Sequence, residues 1–94
     1  MIFEYHEDDD TGLPHIYGHG VREEEAEDIL YRLGTHDVYT RKAADGKRSA
    51  YGQTEEGRYL KVIFALKRDP VRIKVITAME MDGKTLRFYK RRMR

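Results

Sequence analysis

An α+β domain is what this sequence predicts, and three observations predict it. A strongly amphipathic helical stretch lies near the start, over residues 22–33. Four stretches of alternating apolar and polar residues follow it, between residues 37 and 79. Short turn signals separate those four, which favours an antiparallel meander over parallel crossovers. The expected architecture is therefore N-terminal helices packed on a four-stranded antiparallel sheet, followed by a basic C-terminal helix or tail. With 94 residues the chain suffices for one domain, residues 1–94, and is too short for two.

Each element has a local reason. Ile2-Phe3-Glu4-Tyr5 is strand-like, with Phe3 and Tyr5 on one side by the period of two. The acidic stretch His6–Gly12 carries no apolar anchor. Pro14 suits the first turn of a short helix that would bury Ile16 and Tyr17, and Gly20 suits its end. From Arg22 to Leu33, Ala26, Ile29, Leu30 and Leu33 recur at spacings of three and four and form one apolar stripe. Glu23, Glu24 and Glu25 occupy the first turn, where the helix dipole favours anions, and Gly34 closes the helix.

Strands are expected at Asp37–Lys42, Arg48–Thr54, Tyr59–Lys67 and Val71–Met79. Ala44-Asp45-Gly46, Glu55-Glu56-Gly57 and Arg68-Asp69-Pro70 are the turns between them. Asp82 is placed to cap a last helix. In that helix Leu86, Tyr89 and Met93 share a face, while Lys84, Arg87, Lys90, Arg91, Arg92 and Arg94 crowd the remainder.

Composition narrows the chemistry. Zero cysteines exclude disulfides, thiolate metal sites, iron–sulfur clusters and thiol nucleophiles. No apolar run reaches the ~18–20 residues of a membrane span, and the acidic opening is unlike a signal peptide, so a cytoplasmic protein is expected. The net charge of +1 conceals a division. Residues 1–37 hold eleven acids against Arg22 and Arg32, a net of −9; residues 38–94 hold sixteen Lys and Arg against six acids, a net of +10. The basic half suits a polyanion or an acidic protein, and mutual neutralisation of the two halves within one fold is the plainer alternative.

On the third expected strand, Leu60, Val62, Phe64 and Leu66 form one face, while Tyr59, Lys61, Ile63, Ala65 and Lys67 form the other. On the fourth, Val71, Ile73, Val75 and Thr77 form one face, while Arg72, Lys74, Ile76 and Ala78 form the other. The second faces mix basic and apolar groups. Such a face can hold a phosphate backbone with a stacked base, receive an amphipathic partner segment, or simply face water.

Few residues offer covalent chemistry. His15 and His19 lie four apart, as a zinc pair on a helix requires, but a third ligand would have to come from His6, His36 or Asp8–Asp10. No spacing demands one, and no metal or cofactor is assigned. Ser49, the only serine, has nothing to mark it as a nucleophile, and Gly18-His19-Gly20 lacks the context of a phosphate loop. RNA cleavage needs less, because the 2′-hydroxyl of the substrate is the nucleophile. Cations for the developing charge and one proton-transfer group suffice. Arg48, Lys61, Arg72 and Lys74 can supply charge; Glu80, Tyr89 or a histidine can move a proton.

Several motifs, in order, resemble the BrnT family of bacterial type II toxins, a branch of the RelE/ParE-like superfamily. They are Phe3-Glu4-Tyr5-His6; His19-Gly20-Val21 with Glu24-Glu25-Ala26; Arg48 through Tyr51-Gly52-Gln53-Thr54; Gly57-Arg58-Tyr59-Leu60 with Val62-Ile63-Phe64; Arg72-Ile73 with Val75-Ile76-Thr77-Ala78; and Tyr89-Lys90-Arg91-Arg92. The resemblance covers most of the chain. It implies a RelE-like fold and a metal-independent ribonuclease that cleaves mRNA and inhibits translation. It also implies a cognate antitoxin, dimeric and DNA-binding, as partner.

Carried onto matching positions, the resemblance assigns catalysis to Arg48, Arg72 and Thr77, with Glu80 and Tyr89 added from position. RNA binding falls to Lys61, Lys74, Lys84, Arg87 and Arg91. The chain departs from the family at Met79, where many members carry arginine, at Gly18, where lysine is usual, and at His15, where asparagine is usual. Met79 to Lys84 looks closer to a divergent side branch. The alternative is a non-catalytic RelE-like module that uses its basic sheet face for an antitoxin-like protein or nucleic acid.

Overall fold

The structure, a computed structural model, describes residues 1–93; Arg94 lies outside the described residues. Five strands form one mixed sheet, which corrects the expected four-stranded antiparallel one. They are β1 (Ile2–Tyr5), β2 (Tyr39–Lys42), β3 (Arg48–Gln53), β4 (Tyr59–Lys67) and β5 (Arg72–Glu80), in the order β1-β5-β4-β3-β2. β2 to β5 form the expected antiparallel meander. β1 adds a fifth strand, parallel to β5, with Phe3 opposite Ile73. The alternation over Ile2–Tyr5 shows a strand but carries no information on partner or direction, because β1 and β5 are joined by no tight turn.

Only one α-helix, α1 (Glu23–Leu30), precedes the sheet's meander. The Pro14 segment forms a 3-10 turn at His15–His19 instead of an α-helix. Gly20, at φ 72° in the left-handed region, ends that turn, and Val21 N–H donates to Ile16 C=O at 3.1 Å. Ile16 is thereby held in the core while Tyr17 stays exposed. α1 ends at Leu30, short of the expected Leu33, and Tyr31–Leu33 continue as turns. Ala26, Ile29 and Leu30 are fully buried, with Leu33 packed at the margin.

This stripe packs on one sheet face, built from Ala50, Leu60, Val62, Phe64, Ile73, Val75 and Ala78. Contact is close at Gly52, where an added Cβ would stand 3.4 Å from both Ile29 and Val38. A side chain longer than that of alanine there would have to displace Ile29 or Val38.

A β-bulge decides which residues reach the other face. Ile63 pairs with Thr77 but Phe64 pairs with Val75, so Ile76 is an extra residue in β5. Beyond it the alternation changes phase. Thr77, expected beside Val75 in the core row, moves to the face of Lys61 and Ile63. Ala78, expected on the basic face, becomes fully buried. The expected faces hold only up to Val75.

The second helix, α2 (Gly83–Arg92), forms as expected, and the Asp82 carboxylate caps it by accepting from Thr85 N–H at 2.7 Å. That bond is the main reason the Asp82 carboxyl is held below the usual carboxylate range. Among the described residues, no helix is long and apolar enough to cross a membrane.

Candidate nucleic-acid interface

The face opposite α1 carries Tyr39 and Arg41 from β2, Tyr51 from β3, and Tyr59, Lys61 and Ile63 from β4. Arg72, Lys74, Thr77 and Met79 from β5 stand on it as well, with Lys67 at the end of β4 and Glu4 from β1. Half of it is covered. α2 folds back across β2 to β4, and its Phe88 ring lies 5.5 Å from Tyr39 and 5.9 Å from Tyr51. Tyr89 lies 5.9 Å from Tyr59 and donates its hydroxyl to the Asp37 carbonyl at 3.3 Å. Tyr89, not the Leu86–Tyr89–Met93 row as a whole, is the buried anchor of α2.

Cations interleave with this aromatic layer. The Arg92 guanidinium lies 5.7 Å from the Tyr39 ring and 5.4 Å from Phe88, and Arg41 lies 5.3 Å from Phe88. Lys90 lies 5.3 Å from Tyr59 and Lys61 lies 5.8 Å from Tyr51. The strip over β4 and β5 beyond α2 stays open, and there Lys61, Lys74, Arg72 and Thr77 stand on one surface. By strand rise, Lys61 and the level of Lys74 are about 13 Å apart.

Lys84, Arg87 and Arg91 follow one stripe of α2, on the side turned away from Leu86 and the buried Tyr89. With Lys90 they line a shallow concavity of about 390 Å³ that contains no acid. Among the described residues, none of Lys61, Lys74, Lys84, Arg87 and Arg91 makes an ion pair. Their charge is free for an outside anion. Arg72 is different, since its Nε lies 3.4 Å from Glu4 Oε1. The geometry is too poor for a hydrogen bond, and both Arg72 Nε and Thr77 Oγ1 are buried atoms without a partner.

The structure does not bring the five expected catalytic residues together. Arg72 and Thr77 share the open face. Arg48 pairs with the core residue Phe64, so it projects from the α1 side of the sheet, beside Leu33, Thr40 and Leu66. Glu80 pairs with Leu60 and is likewise on the α1 side, where its carboxylate accepts from Arg58 Nε at 2.9 Å. Tyr89 faces the sheet but is committed to Asp37. Burial, reinforced by neighbouring Tyr59, pushes its phenol above the ordinary tyrosine value. A turn centred at Glu56 sets Arg48 opposite Phe64, so the turn signal together with period-two counting places Arg48 on the core side.

Two features escaped the sequence reading. The Tyr39–Tyr51 pair follows from the Ala44–Gly46 turn, because a turn centred there sets residue 39 opposite 51; that signal was legible. Arg58 had no such signal. Its Nη1 donates to both Glu25 carboxylate oxygens at 2.9 Å and to Gly20 C=O at 3.0 Å, so it joins α1, the 3-10 turn and β4.

The histidines play a local part. His15 Nδ1 lies 2.7 Å from Asp8 Oδ1, and the His15 and His19 rings meet edge to face at 5.1 Å. Among the described residues, no group of three or more His, Cys, Asp or Glu is placed to hold a metal ion. No protein-family model and no curated protein matches the chain.

Proposed function

We propose that the chain is a RelE-like nucleic-acid-binding module that holds single-stranded RNA across its basic sheet face and α2. The observation that supports this reading is the grouping of unpaired Lys61 and Lys74 with Arg72 on one open surface, next to the cation-laden α2. Phosphates would be taken by those side chains, and the aromatic and apolar groups between them suit unstacked bases. With Arg48 and Glu80 on the opposite face, the reading is one of binding without cleavage.

A second reading has a specific observation in its favour. Arg72 Nε and Thr77 Oγ1 are buried beneath the open face without a hydrogen-bond partner, and a phosphate would compete with Glu4 for the partly exposed Arg72 side chain. That arrangement suits a metal-independent ribonuclease toxin, restrained by an antitoxin, that relies on Arg72 and Thr77 without Arg48.

Titration of a labelled single-stranded RNA against the full chain at several salt concentrations tests the first reading. Binding is expected to weaken with a log–log slope of about −2 to −3, the value for three or four neutralised phosphates. Binding without salt dependence, or none at low salt, overturns it. Induced expression separates the two readings. Intact cellular RNA with normal growth accompanies a binder, whereas growth arrest with degraded mRNA, abolished by Arg72→Ala, establishes the toxin.

A further inference from the structure

The α1 side of the sheet is not wholly covered. α1 ends at Leu30, and beyond it lies the corner of the sheet where β1 and β5 begin and β4 ends, with Leu66 41% exposed. By register, Phe3, Ile73 and Leu66 lie in one row across three strands, and Met1 and Val71 immediately precede β1 and β5 at the same end. Ile73 is buried beneath them. Tyr31, the first residue after α1, packs edge to face on Phe3 at 5.2 Å. Leu33 lines a groove of about 360 Å³ with Leu66 and Phe64.

The rim of the corner is wide open to solvent. Met1 is 67% exposed, Tyr31 63%, Val71 56% and Leu66 41%. Only three other large apolar residues of the described chain are exposed, Ile2, Leu13 and Tyr17. Apolar surface gathered in this way marks a contact.

Its borders carry opposite charges. On one side Tyr31 also lines a hollow in which Glu24, Glu27, Asp28, Glu55 and Glu56 outnumber the single cation Arg22, itself 3.6 Å from both Glu24 and Glu56. On the other side stand Arg48, beside Leu66 and Leu33, and Arg68 in the turn between Leu66 and Val71. Arg48 and Arg68 make no ion pair among the described residues. A patch with an acidic border and a basic border is complementary to itself. A two-fold rotation about its centre sets the acids of one protomer against the arginines of its partner and apolar surface against apolar surface. An acidic or a basic foreign partner would match only one border.

We infer that this corner is a self-association surface and that two copies of the chain pair through it as an isologous dimer. The contact leaves the basic face and α2 free, so it is independent of the RNA-binding reading. It also gives Arg48 a role on the face where the fold places it.

Sedimentation equilibrium of the full chain from micromolar to millimolar concentration is the test. A reversible approach to twice the chain mass is expected. Leu66→Lys and Val71→Lys should each raise the dissociation constant about tenfold or more, with unchanged circular dichroism and unfolding midpoint. Leu13→Lys, at an exposed apolar residue outside the patch, should keep the dimer. Arg48→Glu should weaken it as well, since like charges then face each other across the two-fold. A monomer at every concentration overturns the inference, and so does a dimer that tolerates both lysine substitutions. If Leu66→Lys fails to fold, Val71→Lys decides alone, because Val71 precedes β5 and supports no core contact.

Discussion

Arg58→Ala is expected to lower the unfolding free energy by about 2 kcal/mol, because it leaves the buried Glu25 carboxylate with only the longer 3.4 Å contact to the Arg22 guanidinium as its cation. Glu25 is only 6% exposed and sits in the first turn of α1. Its oxygens accept from Arg22 N–H at 2.9 Å and from Arg58 Nη1 at 2.9 Å. The same guanidinium donates to Gly20 C=O and to Glu80, so the substitution frees a carbonyl and a carboxylate as well.

The pH dependence provides an internal check. Burial alone would push the Glu25 carboxyl up, but the Arg22 backbone N–H and the Arg58 guanidinium outweigh it and hold the carboxyl below its ordinary value. A depressed folded value means the stabilisation is complete above the ordinary glutamate range near pH ~4.3. It is lost as pH falls through the folded value. The wild-type unfolding midpoint should therefore drop on acidification below that range. Glu25→Gln should flatten the drop, and thermal melts across acidic pH would read both effects. An unchanged melt for Arg58→Ala would mean that the network contributes nothing.

The largest effect on binding is expected from the triple substitution Lys61→Ala, Arg72→Ala, Lys74→Ala. Each phosphate contact on a single strand contributes about 0.7 to the salt slope, so three lost contacts should flatten it by about 2. At about 0.1 M salt the same arithmetic gives roughly a hundredfold loss of RNA affinity. The loss should be similar for any RNA sequence, since phosphates carry no sequence information. All three residues are partly exposed and outside the core, so the fold should persist. Retained affinity in a folded triple variant would remove the sheet face from the account and leave only α2.

How much of this was legible in the sequence follows from what each signal encodes. Period and punctuation located α1, β3, β4 and α2 to within a few residues, because Ala26, Ile29 and Leu30 repeat helically and the Gly57 and Asp82 signals are local. Strand pairing is non-local, so β1 was visible as a strand but not as the parallel neighbour of β5. The bulge at Ile76 was invisible for a different reason: an unbroken Val71–Met79 alternation looks the same with or without one extra residue. That single residue turned Thr77 outward and Ala78 inward. The candidate site suffered in part from the same blindness. Residue types that suit RNA were found, but Arg48 and Glu80 were grouped with Arg72 by motif, whereas the register sets them on opposite faces.

The open face as the RNA-binding surface is the central claim, and amide chemical-shift mapping during addition of a short single-stranded RNA tests it most directly. The account predicts perturbations concentrated on Lys61, Ile63, Arg72, Lys74 and Thr77 and along α2, with α1 and the turn at Glu55–Gly57 unmoved. Perturbations centred on α1 and that turn, or none at RNA excess in low salt, would contradict it.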